Sequence, residues 1–199
     1  MLQLNFKNIR KARKMLFYST DFLTNHGIKY FLEGGTLLGI VRDGDLLPWD
    51  HDVDISIDYS DAEKLDKLRW RFYLMGYRLT CTKGRKSYGP IKQNDYRIFK
   101  LKPLGYSFLK MFYPSFAEKM VVLDIFVKKD DDKYTYWQSM GKFLRVDKSH
   151  YESQESIDFM GYKLTVPYNY KNYLTAKYGD WSVPVKEWHC KDDEKTIVG

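Results

Sequence analysis

Residues Phe31-Leu32-Glu33-Gly34-Gly35-Thr36-Leu37-Leu38-Gly39, continued by Arg42-Asp43-Gly44-Asp45 and Pro48-Trp49-Asp50-His51-Asp52-Val53-Asp54-Ile55, put a glycine pair and a group of carboxylates within one short span. Ile28, Tyr30, Phe31 and Leu32 read as a strand ending in a tight turn at Gly34-Gly35, where a backbone without side chains can come close to a phosphate. The apolar run from Thr36 to Val41 predicts a short helix whose N-terminal N–H groups face the same spot. A second strand is expected next, in which Asp50, Asp52 and Asp54 alternate with His51, Val53 and Ile55. A period of two sends the three Asp side chains to one face and His51 to the other, where it would hydrogen-bond a neighbouring strand or loop. Each piece has an ordinary reading, a solvated acidic turn or a plain Gly-Gly turn. In this order they point to chemistry. Carboxylates crowded on one face repel unless a cation neutralises them, and oxygen-only ligands facing phosphate donors suit Mg²⁺ or Mn²⁺.

Working outward, Phe6 to Asn25 reads as an amphipathic helix with Ile9, Ala12, Leu16 and Leu23 near helical spacing and Gly27 as its stop. Beyond Ile57, Ser60-Asp61 is expected to cap a helix from Ala62 to Met75, ended by Gly76. Tyr77–Thr82 and Tyr96–Leu101 read as antiparallel strands that widen the sheet, separated by a basic turn at 83–86. The segment Lys119 to Val127 is the most apolar strand candidate, and Asp124 in its middle needs a partner, since burying a lone carboxylate costs several kcal/mol. The ordinary reading is a strand-end aspartate paired with a lysine. Asp130-Asp131-Asp132 reads as a solvated turn, and Tyr134 to Arg145 carries no decisive pattern. Phe159 to Pro167 predicts a strand or hairpin, and Tyr168 to Tyr178 a short helix ended by Gly179. One His beside one Cys, His189-Cys190, falls short of the four ligands of a zinc site.

Gly34-Gly35-Thr36-Leu37-Leu38-Gly39, then Arg42, Gly44 and Pro48-Trp49-Asp50-x-Asp52-x-Asp54-Ile55, resemble the LicD family, a branch of the nucleotidyltransferase-fold superfamily that includes bacterial phosphocholine transferases and the fukutin-related proteins. A second signature agrees with it: Gly161-x-x-x-x-Val166-Pro167, then Tyr173-Leu174-x-x-x-Tyr178-Gly179-Asp180-Trp181. The resemblance runs from about Phe22 to Trp181 and departs at His51, where the family usually has Asp. It implies an α+β fold, with a nucleotidyltransferase-like mixed β-sheet flanked by helices in one domain, residues 1–182, followed by a C-terminal tail, 183–199. It also implies transfer of a phospho-alcohol, phosphocholine first, from a CDP-linked donor such as CDP-choline to a glycan hydroxyl, with release of CMP. Asp52 and Asp54 would then be shared ligands of two cations with Asp124 the third, and Asp50 would be an extra ligand or a group behind them. Asp124 would also stand near enough to take the acceptor's proton. Gly34, Gly35 and Thr36 would hold the donor phosphates and Arg42 would neutralise them. A choline group would need an aromatic cage, for which Trp49, Tyr88, Tyr106 and Trp181 are among the candidates.

The 199 residues suffice for one domain with a sizeable core, and 44% hydrophobic with 30% charged residues fit a soluble globular protein. No apolar run is long enough for a membrane span, and the N-terminus has no signal-peptide core. Cys81 and Cys190 imply no disulfide framework, so a reduced cytoplasmic setting is expected, at the inner face of a membrane if the acceptor is lipid-linked. A net charge of +7 favours anionic partners. The basic residues are too scattered for a nucleic-acid module, which leaves a nucleotide-linked donor, with peripheral membrane contact as a further option. Two other classes remain open beside phospho-alcohol transfer: a nucleotidyltransferase moving NMP from an NTP to a sugar or other small acceptor, and a non-catalytic binding protein on the same fold.

Overall fold

A computed structural model describes residues 8–50, 52–117, 120–185, 188–189 and 192–199. His51 and Cys190 lie outside them, so the orientation expected for His51 has no structural counterpart here. The helix expected from Phe6 begins in the described chain as α1 (Ile9–Asn25), with Ala12, Leu16 and Leu23 fully buried. β1 (Tyr30–Leu32) leads into α2 (Gly34–Asp43), and β2 (Val53–Asp58) follows. The helix expected at 62–75 is instead two, α3 (Tyr59–Lys67) and α4 (Arg69–Leu74), broken at Leu68. Its cap is Asp58 rather than Ser60 or Asp61: the Asp58 carboxylate accepts from the Ser60 N–H at 2.8 Å, satisfying one of the orphan donors of the first turn.

β3 (Tyr77–Lys83) and β4 (Tyr96–Pro103) form the expected antiparallel pair. Two short helices, α5 (Tyr106–Phe112) and α6 (Pro114–Ala117), precede β5 (Leu123–Asp130). The unassigned stretch is a hairpin, β6 (Tyr134–Ser139) and β7 (Lys142–Asp147). Met140 and Gly141 both have positive φ at its tip, as a two-residue hairpin turn of the favoured twist requires. α7 (Ser149–Glu152), the hairpin β8 (Gln154–Phe159) and β9 (Tyr162–Pro167), and α8 (Tyr170–Tyr178) complete the elements.

The main sheet runs β1-β2-β5-β4-β3, with β6 and β7 continuing from the end of β5. Among the described residues only β2 and β5 pair in parallel; β1–β2, β5–β4 and β4–β3 are antiparallel. The architecture is therefore α+β with one mixed sheet and flanking helices. Val53, Ile55 and Ile57 of β2 and Leu123 and Ile125 of β5 are fully buried on one face. A slip of one residue would turn this apolar set outward and push Asp54 and Asp124 into the core, so the register is strongly specified. The segment read as a tail docks on the domain: Phe143 donates to the Gly199 carbonyl at 2.7 Å, Val198 to that of Phe143 at 2.8 Å, and Arg145 to that of Thr196 at 3.0 Å. Among the described residues no helix is long and apolar enough to cross a membrane.

Candidate metal centre

In the parallel pairing of β2 with β5, Asp54 stands directly opposite Asp124. Neighbouring strands lie about 4.8 Å apart and in-register residues share a face, which sets the two carboxylates side by side. Asp52 enters just before β2. One oxygen from each of Asp52, Asp54 and Asp124 lies within 4.8 Å of the others, a group that can hold a metal ion. The backbone here is pinned at three points: Val53 donates to the Val122 carbonyl at 3.0 Å, Glu33 to that of Asp54 at 3.1 Å, and Asp54 to the Thr36 hydroxyl at 2.9 Å. Thr36, expected to touch a phosphate, is buried and orients the strand that carries the acids.

The three carboxylates do not coexist comfortably as anions. Burial, then the charges of Asp124 and Asp50, push Asp52 up to about 7. Burial, then Asp52, Asp50 and Asp124, push Asp54 well above the usual carboxylate range. Burial raises Asp124 too, against the opposing pull of Lys100. The buried Oδ1 of Asp124 has no hydrogen-bond partner. An orphaned buried oxygen among crowded carboxylates matches what a divalent cation takes up, so these residues fit one.

Lys100 is a site residue that sequence reasoning missed. It faces Asp124 across β4–β5, and its ammonium is 2.5 Å from the other carboxylate oxygen. Of the two readings of Asp124, the lysine partner is present on Oδ2, and Oδ1 is left in a position to meet a cation. Period-two spacing along β4 could have flagged Lys100, but not that β4 would lie beside β5.

Two expectations about the opening stretch need correction. β2 starts at Val53, so Asp50 and Asp52 both precede the strand; Asp52 joins Asp54 and Asp124, whereas Asp50 stays outside that group although its charge acts on Asp52 and Asp54. Its backbone N–H donates to the Leu47 carbonyl at 3.1 Å, and its carboxylate lies against Gly35. In addition, no separate turn precedes the helix: α2 begins at Gly34 itself, which has φ +53°. A side chain at Gly34 would place its Cβ 2.5 Å from Asp54 Oδ2, and one at Gly35 would overlap the Asp50 carboxylate. The glycines therefore admit the protein's own carboxylates to a helix N-terminus, where the dipole favours negative charge. Gly35→Ala should expel Asp50 and lower stability by about 1–3 kcal/mol through overpacking. Gly34→Ala adds backbone strain of similar size. Chemical denaturation of each variant checks this; parent-like midpoints would show that the carboxylates simply swing away.

Arg42 stands at the other end of α2, about 12 Å along the axis from Gly34 at the ordinary helical rise. Its guanidinium pairs with Asp43 at 2.7 and 2.9 Å, lies 3.5 Å from the Trp181 carbonyl and is 5.9 Å from the Trp49 ring. The structure does not bring it to the carboxylates. Of the other aromatics, Tyr88 packs on Phe143 at 5.0 Å and Tyr106 sits 5.3 Å from the Lys102 ammonium.

Behind the carboxylates lies a buried polar network that also went unread. Glu33, the residue before α2, accepts from Ser56 and Tyr151 at 2.7 Å and from Tyr173 at 2.5 Å, and Lys128 is 3.1 Å away. Burial alone would raise the Glu33 carboxyl, but Lys128, Tyr173, Lys177 and Tyr151 together hold it below its ordinary value. Burial pulls Lys128 down to about 8. Its ammonium lies 3.4 Å above the Trp137 ring, and Lys177, paired with Glu194 at 2.6 Å, approaches the same ring at 5.2 Å. Glu33 belongs to the opening stretch, yet its partners come from β2, β5, α7 and α8, which spacing cannot bring together.

The chain is similar to known proteins. A sequence model of the LicD/FKTN/FKRP nucleotidyltransferase domain matches residues 27–169. The human and mouse proteins named ribitol 5-phosphate transferase FKRP are 43% identical over 61 residues, 31% of this chain and 12% of theirs. Mouse ribitol-5-phosphate transferase FKTN is 21% identical over 194 residues, 94% of this chain and 37% of that protein. The match thus spans a minor part of each relative's length. Among solved structures, lincomycin-bound lincosamide adenylyltransferase LnuA superposes with a TM-score of 0.47 at 17% identity, covering 81% of this chain and 83% of that one.

Proposed function

Because the chain belongs to the LicD/FKTN/FKRP nucleotidyltransferase-domain family, we propose that it is a transferase moving a phospho-alcohol from a CDP-linked donor to a hydroxyl of a glycan, with release of CMP. The observation that carries this reading is the in-register pair Asp54–Asp124, completed by Asp52, with one buried Asp124 oxygen lacking a partner. Relatives named as ribitol 5-phosphate transferases favour ribitol phosphate as the group moved. Phosphocholine is the second candidate, and it requires an aromatic cage that Tyr88, committed to Phe143 and to the Val198 carbonyl, does not supply.

In this reading the acceptor hydroxyl oxygen attacks the phosphorus that bears the alcohol. The bond from that phosphorus to the oxygen bridging to CMP breaks, CMP leaves with that oxygen, and a phosphodiester forms on the glycan. Asp52, Asp54 and Asp124 would hold Mg²⁺ or Mn²⁺, one ion or two, to neutralise charge on the diphosphate. Asp124, with Oδ2 held by Lys100, would keep Oδ1 for the cation, and a carboxylate at this position would stand near enough to draw the proton from the acceptor hydroxyl. The first N–H groups of α2, at Gly34, Gly35 and Thr36, supply a dipole end beside the diphosphate. Arg42 would contribute only by exchanging Asp43 for a phosphate oxygen.

The products decide between this and NMP transfer. Incubation with CDP-ribitol, CDP-choline or CDP-glycerol, a glycan acceptor and Mg²⁺ should release CMP in step with phosphodiester, and EDTA should stop both. Pyrophosphate released from an NTP, with no CMP from any CDP donor, would replace this reading by nucleotidyl transfer. No metal-dependent turnover of either donor class would favour a binding protein.

A further inference from the structure

The segment after β4 is apolar but exposed. α5 has no buried residue, although it carries Phe108, Met111 and Phe112. These are 59%, 68% and 56% exposed, and Leu104 and Tyr113 beside them are 39% and 61% exposed. Phe108 and Phe112 are one helical turn apart with ring centroids 4.7 Å from each other, so they form a single apolar ridge. α4 adds Tyr73 and Leu74 at the same end of the sheet, exposed by 62% and 74%: Leu104 donates to the carbonyl of Gly76 at 2.9 Å. Single exposed apolar residues are ordinary, but a cluster of this kind marks a surface that meets something.

The chain that carries the ridge is basic. From Tyr96 to Ala117 the chain has Arg97, Lys100, Lys102 and Lys110 and no Asp or Glu. Lys102 stands directly opposite Arg78 in the β3–β4 register, a like-charge pairing that disfavours the sheet unless an anion is supplied. Burial and the neighbouring Lys100, Lys110 and Arg78 lower Lys102 against the opposing charge of Asp124, and neither Arg78, Lys102 nor Lys110 forms an ion pair with a described residue. Lys11 and Lys14 of α1 line a groove with Tyr77 and Pro103 at the same end of the sheet. A second copy of the chain on this face would bring positive charge against positive charge. An anionic bilayer offers the complement to both features, phosphates for the lysines and an acyl boundary for the aromatic ridge.

We propose that α5 and its basic surround seat the protein on an anionic lipid surface, with Phe108, Met111 and Phe112 entering the headgroup boundary and Lys14, Arg78, Lys102 and Lys110 meeting lipid phosphates. Lys102 is two residues from Lys100 along β4, about 7 Å, so the seated face adjoins the carboxylates. Under the transfer reading above, the acceptor hydroxyl would then be presented from that surface.

The test uses vesicles and no donor, so its failure is separate from failure of the transfer assay. The full chain should co-sediment with vesicles of phosphatidylcholine and phosphatidylglycerol but not with phosphatidylcholine alone, and added salt should release it. Lys110→Gln and Arg78→Gln should each weaken binding by about fivefold, the effect of one basic residue near such a surface. Phe108→Ser/Phe112→Ser should abolish it, and its melting should match the parent because both rings are exposed. If that double variant melts lower, the lysine and arginine variants carry the test alone. Equal binding to both vesicle types, no binding, or binding indifferent to these substitutions overturns the proposal. So does a parent dimer that light scattering shows dissociated by Phe108→Ser/Phe112→Ser, since the ridge would then be a contact between copies.

Discussion

Asp54→Asn should cut metal-dependent turnover by on the order of 10³-fold or more, the loss of several kcal/mol of charge neutralisation in the transition state, while leaving the protein folded. Asp52→Asn and Asp124→Asn should do the same, since each removes one oxygen from the group that lies within 4.8 Å. Stability should move in the opposite sense to activity. In chelator the parent carries crowded carboxylates, and neutralising one relieves repulsion. The pH dependence has a definite sign. Asp52 titrates near 7 in the folded chain against about 4 when unfolded. Between those values the folded state retains a proton that the unfolded state has released, so this group's contribution to stability falls as pH rises through the window. The melting temperature of Asp52→Asn minus that of the parent, both in EDTA, should therefore grow from pH 4 to pH 7, by about 2–4 °C for each kcal/mol of relief. Saturating Mg²⁺ should close the gap by stabilising the parent. Asp124→Asn should gain least, because it leaves the Lys100 ammonium without its carboxylate. A flat difference across that range, or full turnover of any of the three in excess EDTA, would remove the metal centre.

The second large effect concerns Glu33 and Lys128, whose side chains are each 3% exposed. Breaking a buried ion pair by removing one partner leaves a charge stranded and typically costs about 3–5 kcal/mol. Glu33→Ala should accordingly lower the melting temperature by about 10 °C, the more so because Ser56, Tyr151 and Tyr173 lose their acceptor. Lys128→Met should cost less, since the three hydroxyl donors remain on the carboxylate. Replacing both, as Glu33→Leu/Lys128→Met, should recover part of the loss, because apolar side chains of similar volume often do as well as a buried pair. A double-mutant cycle by chemical denaturation measures the coupling. Strictly additive effects would mean that the two charges act independently. Activity should fall in Glu33→Ala beyond what the folded fraction explains, because Glu33 N–H and Thr36 Oγ1 both anchor the Asp54 backbone.

Much of this protein was legible in local pattern. The alternation of Val53, Ile55 and Ile57 with Asp54, the apolar run around Asp124 and the helical spacing in α1 are each produced by neighbours in the chain, and periodicity reads them directly. The resemblance of the Gly34-to-Ile55 stretch to a family then supplied the sheet type and the carboxylates Asp52, Asp54 and Asp124, all of which the structure places together. Where a strand begins is a different matter. Asp50 alternates with Asp52 and Asp54 in sequence, but its backbone turns back to Leu47, and alternation ceases to mean a shared face outside the ladder. The purpose of Gly34 and Gly35 was likewise decided in three dimensions. A glycine pair announces a close approach, but only the packed structure shows that Asp54 and Asp50 are what approaches. Lys100 beside Asp124, and Glu33 bound by Lys128, Tyr151 and Tyr173, are contacts between strands and helices far apart in the chain. Sequence determined which residues had the chemistry to hold a cation. Which of them received a lysine, a glycine backbone or an unshared oxygen followed from strand order and register, because these are fixed by burial of the whole apolar face at once and not by any one segment.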